Sequence, residues 1–242
     1  MGKYLGALIS VLVIAGLVLG VAEAVDAASR DLPRLTAKDA GTQNNIHHVA
    51  LTLQTFPSNP YQDAAWVAAH ISGGQTDNGF AYPAPGDNQA WVTYWPTTNL
   101  QVPVNTMVTI TIQNYDSATP LLNPYYGVPR GTIGNTITVD GKPTSSVDPN
   151  NVSHTFTIHS VVGDNQPWLF VSVPVTGADP KAPPDSGGFP LKPLETSFSF
   201  MTPAKPGHYL WQCFDPCGSG FNGFGGPMST KGYMSGTINV VA

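Results

Sequence analysis

The feature that most constrains the fold of this chain is a series of short β-type runs separated by turn residues. Within Thr106–Asn114 the apolar residues Val108, Ile110 and Ile112 alternate with polar or longer side chains, which is the period of a half-buried strand. Runs of this kind at regular spacing are typical of β-sandwiches. The predicted strands are His47–Thr55, Ala90–Trp95, Thr106–Asn114, Thr136–Val139, His154–Val161, Leu169–Pro174, Thr196–Met201, Gly207–Cys213 and Gly236–Val241.

The composition supports an all-β fold and excludes one class of partner. The 242 residues include 25 Gly and 23 Pro, which favour turns over helices, and we predict only one short helix, Tyr61–His70. Charged residues make up 10% of the chain and the net charge is −5. An acidic, sparsely charged surface is unsuited to nucleic acid, so no nucleic-acid partner is expected.

The N-terminus has the pattern of an export signal. Lys3 precedes an apolar run from Tyr4 to Val21, and Ala22-Glu23-Ala24 matches a cleavage site. Residues 1–24 are therefore predicted to be a signal peptide or, if uncleaved, an N-terminal anchor that associates with a membrane. Both alternatives make the protein extracytoplasmic. Residues 25–45 are predicted to be a linker, and residues 46–242 a β-sandwich with its core at about 100–242.

Three segments of the C-terminal half resemble the cupredoxin family. Val152–Ile158 is similar to the strand that carries the first copper-binding His in that family. Phe198–Cys213 is similar to the strand pair that turns at Pro-Gly and ends on the copper-binding Cys, and Met234–Val241 to the axial Met and last strand. The resemblance implies a cupredoxin-like Greek-key β-sandwich that binds copper.

The segment Cys213–Gly218 more closely resembles the copper-binding domain of cytochrome oxidase subunit II, in which two Cys are spaced by three residues. The resemblance implies a set of metal ligands made up of His154, Cys213, the backbone carbonyl of Asp215, Cys217 and Met234. It leaves open whether the site holds one copper or two.

The chain departs from the family at one ligand, because residues 218–233 contain no second His. Met228 and His208 are weaker candidates to replace it, although His208 is separated from Cys213 by an odd number of strand residues, which places the two on opposite faces. The same argument places His159 opposite His154.

These residues lead to one expected function and two alternatives. The first is one-electron transfer to a redox protein partner, as an electron-transfer or oxidase-subunit-like protein rather than a stand-alone enzyme. The second is a metal-free structural or binding domain with a Cys213–Cys217 disulfide, the usual state of two cysteines in an exported chain. The third is copper sequestration or delivery, since thiolates and thioethers favour Cu(I).

Overall fold

The computed structural model describes residues 34–57, 91–161, 163, 165–179, 181, 192–218 and 225–242. Within these ranges thirteen β-strands account for most of the regular structure. They are β1 (Arg34–Thr36), β2 (Lys38–Gln43), β3 (Ile46–Phe56), β4 (Thr93–Trp95), β5 (Asn99–Pro103), β6 (Met107–Asn114), β7 (Ile137–Val139), β8 (Lys142–Thr144), β9 (Val152–His159), β10 (Phe170–Thr176), β11 (Leu194–Met201), β12 (Gly207–Gln212) and β13 (Ser235–Val241).

The helical elements of the described ranges are short. Three 3₁₀ turns lie in the connections between β6 and β9, and one four-residue α-helix precedes β13. Their bounds are Pro124–Gly127, Ile133–Asn135, Pro149–Asn151 and, for the α-helix, Gly226–Ser229. Within the described part of the chain, no helix has the length and apolar character needed to cross a membrane.

The strands form two sheets. One has the order β1-β5-β13-β12-β9-β10, and the other has the order β2-β3-β6-β11-β7-β8 with β4 added beside β3. Most neighbours are antiparallel, but β3 pairs with β6, and β5 with both β1 and β13, in parallel. The prediction of an all-β sandwich is confirmed.

The core between the sheets follows from the alternation seen in the sequence. On β6 the side chains of Val108, Ile110 and Ile112 are buried, and their partners across β11 include Phe198 and Phe200. The outer face carries hydroxyls that pair across the same strands. Burial of an alternating apolar set selects one register, because a slip of one residue would turn every buried side chain outward.

All nine predicted strands overlap strands of the structure, and four further strands are present: β1, β2, β5 and β8. The strand β2 is exposed along its whole length, and β8 contains Pro143, so neither has an apolar alternation that a sequence pattern could detect. The segment 25–45, expected as a linker, contains β1 and β2, and the sandwich therefore includes residues from Arg34 onward. The predicted helix 61–70 and the segment 1–24 lie outside the described residues.

Strand β9 is the element that positions the candidate site. It lies between β12 and β10, and its residues from Val152 to Ile158 are all buried. The side chains of Phe156 and Ile158 belong to the core, while Thr157, on the other face, shares a hydrogen bond of 3.0 Å with Ser172 of β10. A strand buried on both faces holds its side chains rigidly.

Candidate metal centre

Three predicted ligands converge at one end of the sandwich. His154 lies on β9, Cys213 directly follows β12, and Cys217 lies four residues further on. His154 Nδ1 is 3.3 Å from Cys217 Sγ, the two sulfurs are 3.8 Å apart, and the ligand atoms of all three residues lie within 4.8 Å of one another. The exposed fractions are 2%, 0% and 7%. One nitrogen and two sulfurs thus share a buried point.

The two sulfurs are not joined in this structure. Both cysteines are free, and their separation of 3.8 Å is well beyond the length of a disulfide bond, about 2.05 Å. The disulfide alternative drawn from the sequence is therefore not the state described here.

Strand alternation explains why Cys213 faces His154. Along β12, Tyr209 and Trp211 point into the core and Leu210 points outward, so Cys213 continues the inward row. Trp211 is paired with Ile158 of β9. Adjacent strands with matched inward faces bring the side chains at their ends together.

The backbone around Cys213 is held by hydrogen bonds. Its N–H donates to the carbonyl of Met234 at 3.0 Å, and its sulfur accepts the N–H of Thr155 at 3.3 Å. The hydroxyl of Thr155 in turn accepts the N–H of Phe214 at 2.7 Å. The loop after β12 is therefore anchored to β9 on both sides of the sulfur.

Three of the other candidate residues contact the two cysteines. The carbonyl oxygen of Asp215 lies 3.4 Å from Cys213 Sγ, and Met228 Sδ accepts the N–H of Cys217 at 3.3 Å. Met234 is fully buried, and its carbonyl is the partner of the Cys213 N–H.

The remaining histidines lie elsewhere. His208 is exposed, with Nδ1 2.6 Å from Asn239 Oδ1, and its ring is not among the three converging ligand groups. His159, which the spacing placed opposite His154, contacts the ring of Phe214 at a centroid distance of 5.7 Å. Side chains alternate between the two faces of a strand, and this places His208 opposite Cys213 and His159 opposite His154.

Sequence reasoning missed one functional neighbour, Asp116. Its Oδ2 lies 2.9 Å from His154 Nε2, across 38 residues of sequence. Asp116 follows β6 in a connection that carries no recognisable motif, so no local signal could have identified it. The imidazole of His154 is therefore bracketed by a carboxylate on Nε2 and a sulfur on Nδ1.

The environment separates the protonation states of the two cysteines. Burial raises the pKa of Cys213, but hydrogen bonds from Cys217, His154 and the Thr155 N–H outweigh burial and hold that pKa well below 9.0. The hydrogen bond with Cys213, burial and the negative charge of Cys213 raise the pKa of Cys217 well above 9.0. In the metal-free protein Cys213 is thus a thiolate and Cys217 a thiol that donates to it.

Two further groups complete the electrostatics. Burial lowers the pKa of His154, but its hydrogen bonds to Asp116 and to the Cys213 sulfur raise the pKa to about 9. Burial, with the negative charge of Cys213, raises the pKa of Asp215 to about 6. At neutral pH the metal-free centre thus holds an imidazolium, with Nε2 2.9 Å from Asp116 Oδ2 and Nδ1 3.3 Å from Cys217 Sγ.

These shifts predict how stability depends on pH. Folding raises the pKa of His154 from 6.5 to about 9, so the stability that this group contributes is lost as the pH rises through about 9. Folding lowers the pKa of Cys213 from 9.0, so the stability that this group contributes is present above pH 9 and is lost as the pH falls. Above pH 9 the unfolded chain loses the Cys217 proton that the folded chain retains. The free energy of unfolding should therefore fall by about 1.4 kcal/mol per pH unit through this group.

Urea unfolding of the metal-free protein at several pH values between 8 and 10.5 measures this slope. The matched variant is Cys217→Ser, which has no titrating group at this position and should lack this part of the slope. Equal slopes for the two proteins above pH 9 would show that Cys217 is not held as a thiol.

The surroundings of the sulfurs are apolar and aromatic. Trp211 stacks on Phe156 at a centroid distance of 4.3 Å and meets Tyr94 edge-on at 4.9 Å. These residues share one core cluster with both cysteines and Met234. A dry, apolar surrounding of this kind controls solvent access and the reduction potential of a bound metal.

Comparisons with known proteins give only remote similarities. No family model matches the sequence, and no curated protein matches it. Among solved structures, a laccase from Pediococcus acidilactici shares 11% identity over 87% of this chain with a TM-score of 0.34, and a multi-copper oxidase from the same organism shares 10% over 87% with a TM-score of 0.33. Rusticyanin from Thiobacillus ferrooxidans shares 13% over 84%, with a TM-score of 0.29.

The fraction of each known protein that this chain covers differs among the three. This chain spans 29% of the laccase and of the multi-copper oxidase, but 87% of rusticyanin. Similarities with such low identities and TM-scores carry no argument about function. The structure by itself shows a two-sheet β-sandwich with an imidazole on β9 and two sulfurs after β12. This is the arrangement that the resemblance to cupredoxins implied.

Proposed function

We propose that this protein is an extracytoplasmic copper protein that transfers single electrons, with His154, Cys213 and Cys217 as copper ligands. The observation that carries the proposal is the convergence of one imidazole nitrogen and two sulfurs within 4.8 Å in a buried position. Thiolate and imidazole are the ligands that copper electron-transfer sites use. When bound, copper would supply the Cu(I)/Cu(II) couple.

The residues of this chain would hold the metal in a constrained geometry. His154 and Cys213 are fixed by paired strands, and the Thr155 N–H donates to the Cys213 sulfur, an interaction that moderates the charge of a thiolate. The thioether of Met234 would be a further ligand, and the Asp215 carbonyl oxygen lies 3.4 Å from the Cys213 sulfur. Ligands held this rigidly need little rearrangement when an electron arrives or leaves.

Burial of the ligands favours electron transfer over substrate chemistry. None of the three converging residues is more than 7% exposed, and this leaves little access for a substrate. An electron, in contrast, can reach a buried metal through a redox partner docked nearby. The export signal predicted in residues 1–24 supports an extracytoplasmic location, where such a partner would lie.

The number of coppers follows from the ligands available. We infer a mononuclear site, because the three ligand groups found among the described residues converge on a single point, with their ligand atoms within 4.8 Å of one another. The alternative is a dinuclear site in which both sulfurs bridge two coppers. The titration below distinguishes the two sites by the number of coppers bound per protein.

Copper storage or delivery is a second candidate, and one observation favours it. A third sulfur, Met228 Sδ, lies 3.3 Å from the Cys217 backbone nitrogen, and a sulfur-rich site favours Cu(I) over Cu(II). A storage protein would bind Cu(I) without reversible oxidation, whereas an electron-transfer protein cycles at a defined potential.

Copper titration of the purified, reduced protein tests the proposal. Cu(II) should produce strong visible thiolate-to-copper absorption that saturates at one equivalent, a four-line copper hyperfine pattern in electron paramagnetic resonance, and a reversible one-electron wave in voltammetry. Seven lines and two equivalents would indicate a dinuclear centre, and Cu(I) binding without a wave would indicate storage.

A matched pair of histidine variants gives the control. His154→Ala should weaken copper binding at least about 100-fold, since it removes one of the ligands of a site whose affinity depends on each of them. His208→Ala should leave the affinity unchanged, because this exposed ring bonds only to Asn239 among the contacts described. Equal effects of the two substitutions would contradict the ligand role of His154.

A further inference from the structure

We propose that Asp116 is a positioning residue for the metal centre, whose carboxylate orients His154 and favours the more highly charged state of the bound copper. This inference rests on the proposed function. It concerns a residue that belongs to none of the segments resembling cupredoxins.

Hydrogen bonds hold both the carboxylate and the backbone of Asp116 in place. Its Oδ2 faces His154 Nε2 at 2.9 Å, and its Oδ1 accepts the N–H of Ser117 at 2.8 Å. The Asp116 carbonyl accepts the N–H of Ala178 at 2.8 Å, and its own N–H donates to Asn114 Oδ1 at 3.1 Å. Its side chain is 17% exposed. The acceptor is thus oriented by the fold before any metal binds.

The position of the carboxylate decides which imidazole nitrogen is offered to the metal. With the Nε2 proton donated to Asp116, the neutral ring carries its free lone pair on Nδ1, and Nδ1 is the atom 3.3 Å from Cys217 Sγ. The partner of the second ring nitrogen sets the tautomer and orientation of a metal-binding histidine and raises its basicity. Asp116 therefore directs Nδ1 toward the sulfurs.

The charge of the carboxylate has a separate consequence. A negative charge attracts Cu(II) more strongly than Cu(I), and the low exposure of the site limits screening by water. Asp116 should accordingly lower the reduction potential of the bound copper. A residue that only supported the fold would leave the potential unchanged when replaced by a group of equal size.

The central variant is Asp116→Asn, which retains the size of the side chain and removes its charge. Copper affinity, measured by competition with a chelator of known affinity, should fall about 10–100-fold. The affinity for Cu(II) should fall about tenfold more than that for Cu(I), which corresponds to a rise in potential of about 59 mV for one electron.

The chain offers a matched control in Asp39→Asn. Asp39 also pairs with a histidine, with Oδ1 3.1 Å from His47 Nε2, but both residues are exposed and lie on β2 and β3 of the other sheet. This substitution changes the net charge by the same amount and should change neither copper affinity nor potential.

A measurement on the unmodified protein does not depend on the folding of any variant. In the protein loaded with Zn²⁺ alone, nitrogen NMR should show His154 coordinated through Nδ1, with a slowly exchanging Nε2 proton. Coordination through Nε2 would overturn the inference.

The outcomes separate this inference from the proposed function. If the wild type binds copper and Asp116→Asn leaves both affinity and potential unchanged, the role of Asp116 is wrong and the copper site stands. If the wild type binds no copper in the titration above, the proposed function fails, and the role of Asp116 fails with it.

Discussion

Cys213→Ser should abolish the visible thiolate-to-copper absorption and weaken Cu(II) binding by at least about 100-fold. Cys213 is the cysteine held as a thiolate in the metal-free protein, because Cys217, His154 and the Thr155 N–H all stabilise its negative charge. The thiolate is the form of cysteine that binds a metal. A serine hydroxyl would replace the anionic thiolate by a neutral oxygen, which binds copper more weakly and cannot give thiolate-to-copper charge transfer. Absorption spectra and chelator competition measure the two effects.

The variant Cys217→Ser shows whether the second sulfur contributes equally to the visible absorption. In a mononuclear site built around Cys213, this variant should retain visible absorption with a shifted maximum, because the Cys213 thiolate remains. In a dinuclear site both sulfurs bridge the metals, and the two variants should lose the absorption equally. If Cys213→Ser retains the wild-type spectrum while circular dichroism shows that it is folded, Cys213 is not a ligand.

Trp211→Ala should destabilise the metal-free protein by about 3–5 kcal/mol, the usual cost of removing a large buried aromatic side chain. Trp211 is 1% exposed, stacks on Phe156 at 4.3 Å, and donates its indole N–H to the carbonyl of Thr98 at 2.9 Å. The substitution leaves a cavity and removes one of two hydrogen bonds to the Thr98 carbonyl, which still accepts the N–H of Thr237 at 3.0 Å. This loss is a large part of a typical domain stability of about 5–15 kcal/mol. Urea unfolding measures it.

Trp168→Ala is the control for this prediction. Trp168 is 77% exposed, and an exposed substitution of this kind should change stability by less than about 0.5 kcal/mol. A loss below about 1.5 kcal/mol for Trp211→Ala would show that the core relaxes around the missing ring, and that Trp211 does not anchor the strand that ends at Cys213.

The sequence predicted those elements whose pattern is local. Alternation with a period of two identified the inward row of β6, and odd spacing placed His208 and His159 on the faces opposite Cys213 and His154. The sequence pattern did not reveal β2, which is polar, or β5, which is short. Both are strands because neighbouring strands pair with them. Strand pairing is a property of the whole sheet, and a single segment carries little trace of it.

At the candidate site, too, some residues were identified from the sequence and others only from the structure. The resemblance to cupredoxins supplied His154, Cys213 and Cys217, which the structure brings together. Asp116 could not be predicted, because its contact with His154 depends on how the connection after β6 packs beside β9. The opposite pKa shifts of Cys213 and Cys217 likewise arise from which sulfur lies nearer the donors.

The sequence alone determined which side chains face inward along the strands with a clear apolar alternation, because that pattern depends only on neighbouring residues. It also determined which chemical groups the chain can offer to a metal. The tertiary structure decided which of those groups meet, which of them carry protons, and which carboxylate holds the imidazole. Hydrogen bonds and electrostatic interactions act over a few ångströms in space, whereas His154 lies 38 positions from Asp116 and 63 from Cys217 in the chain.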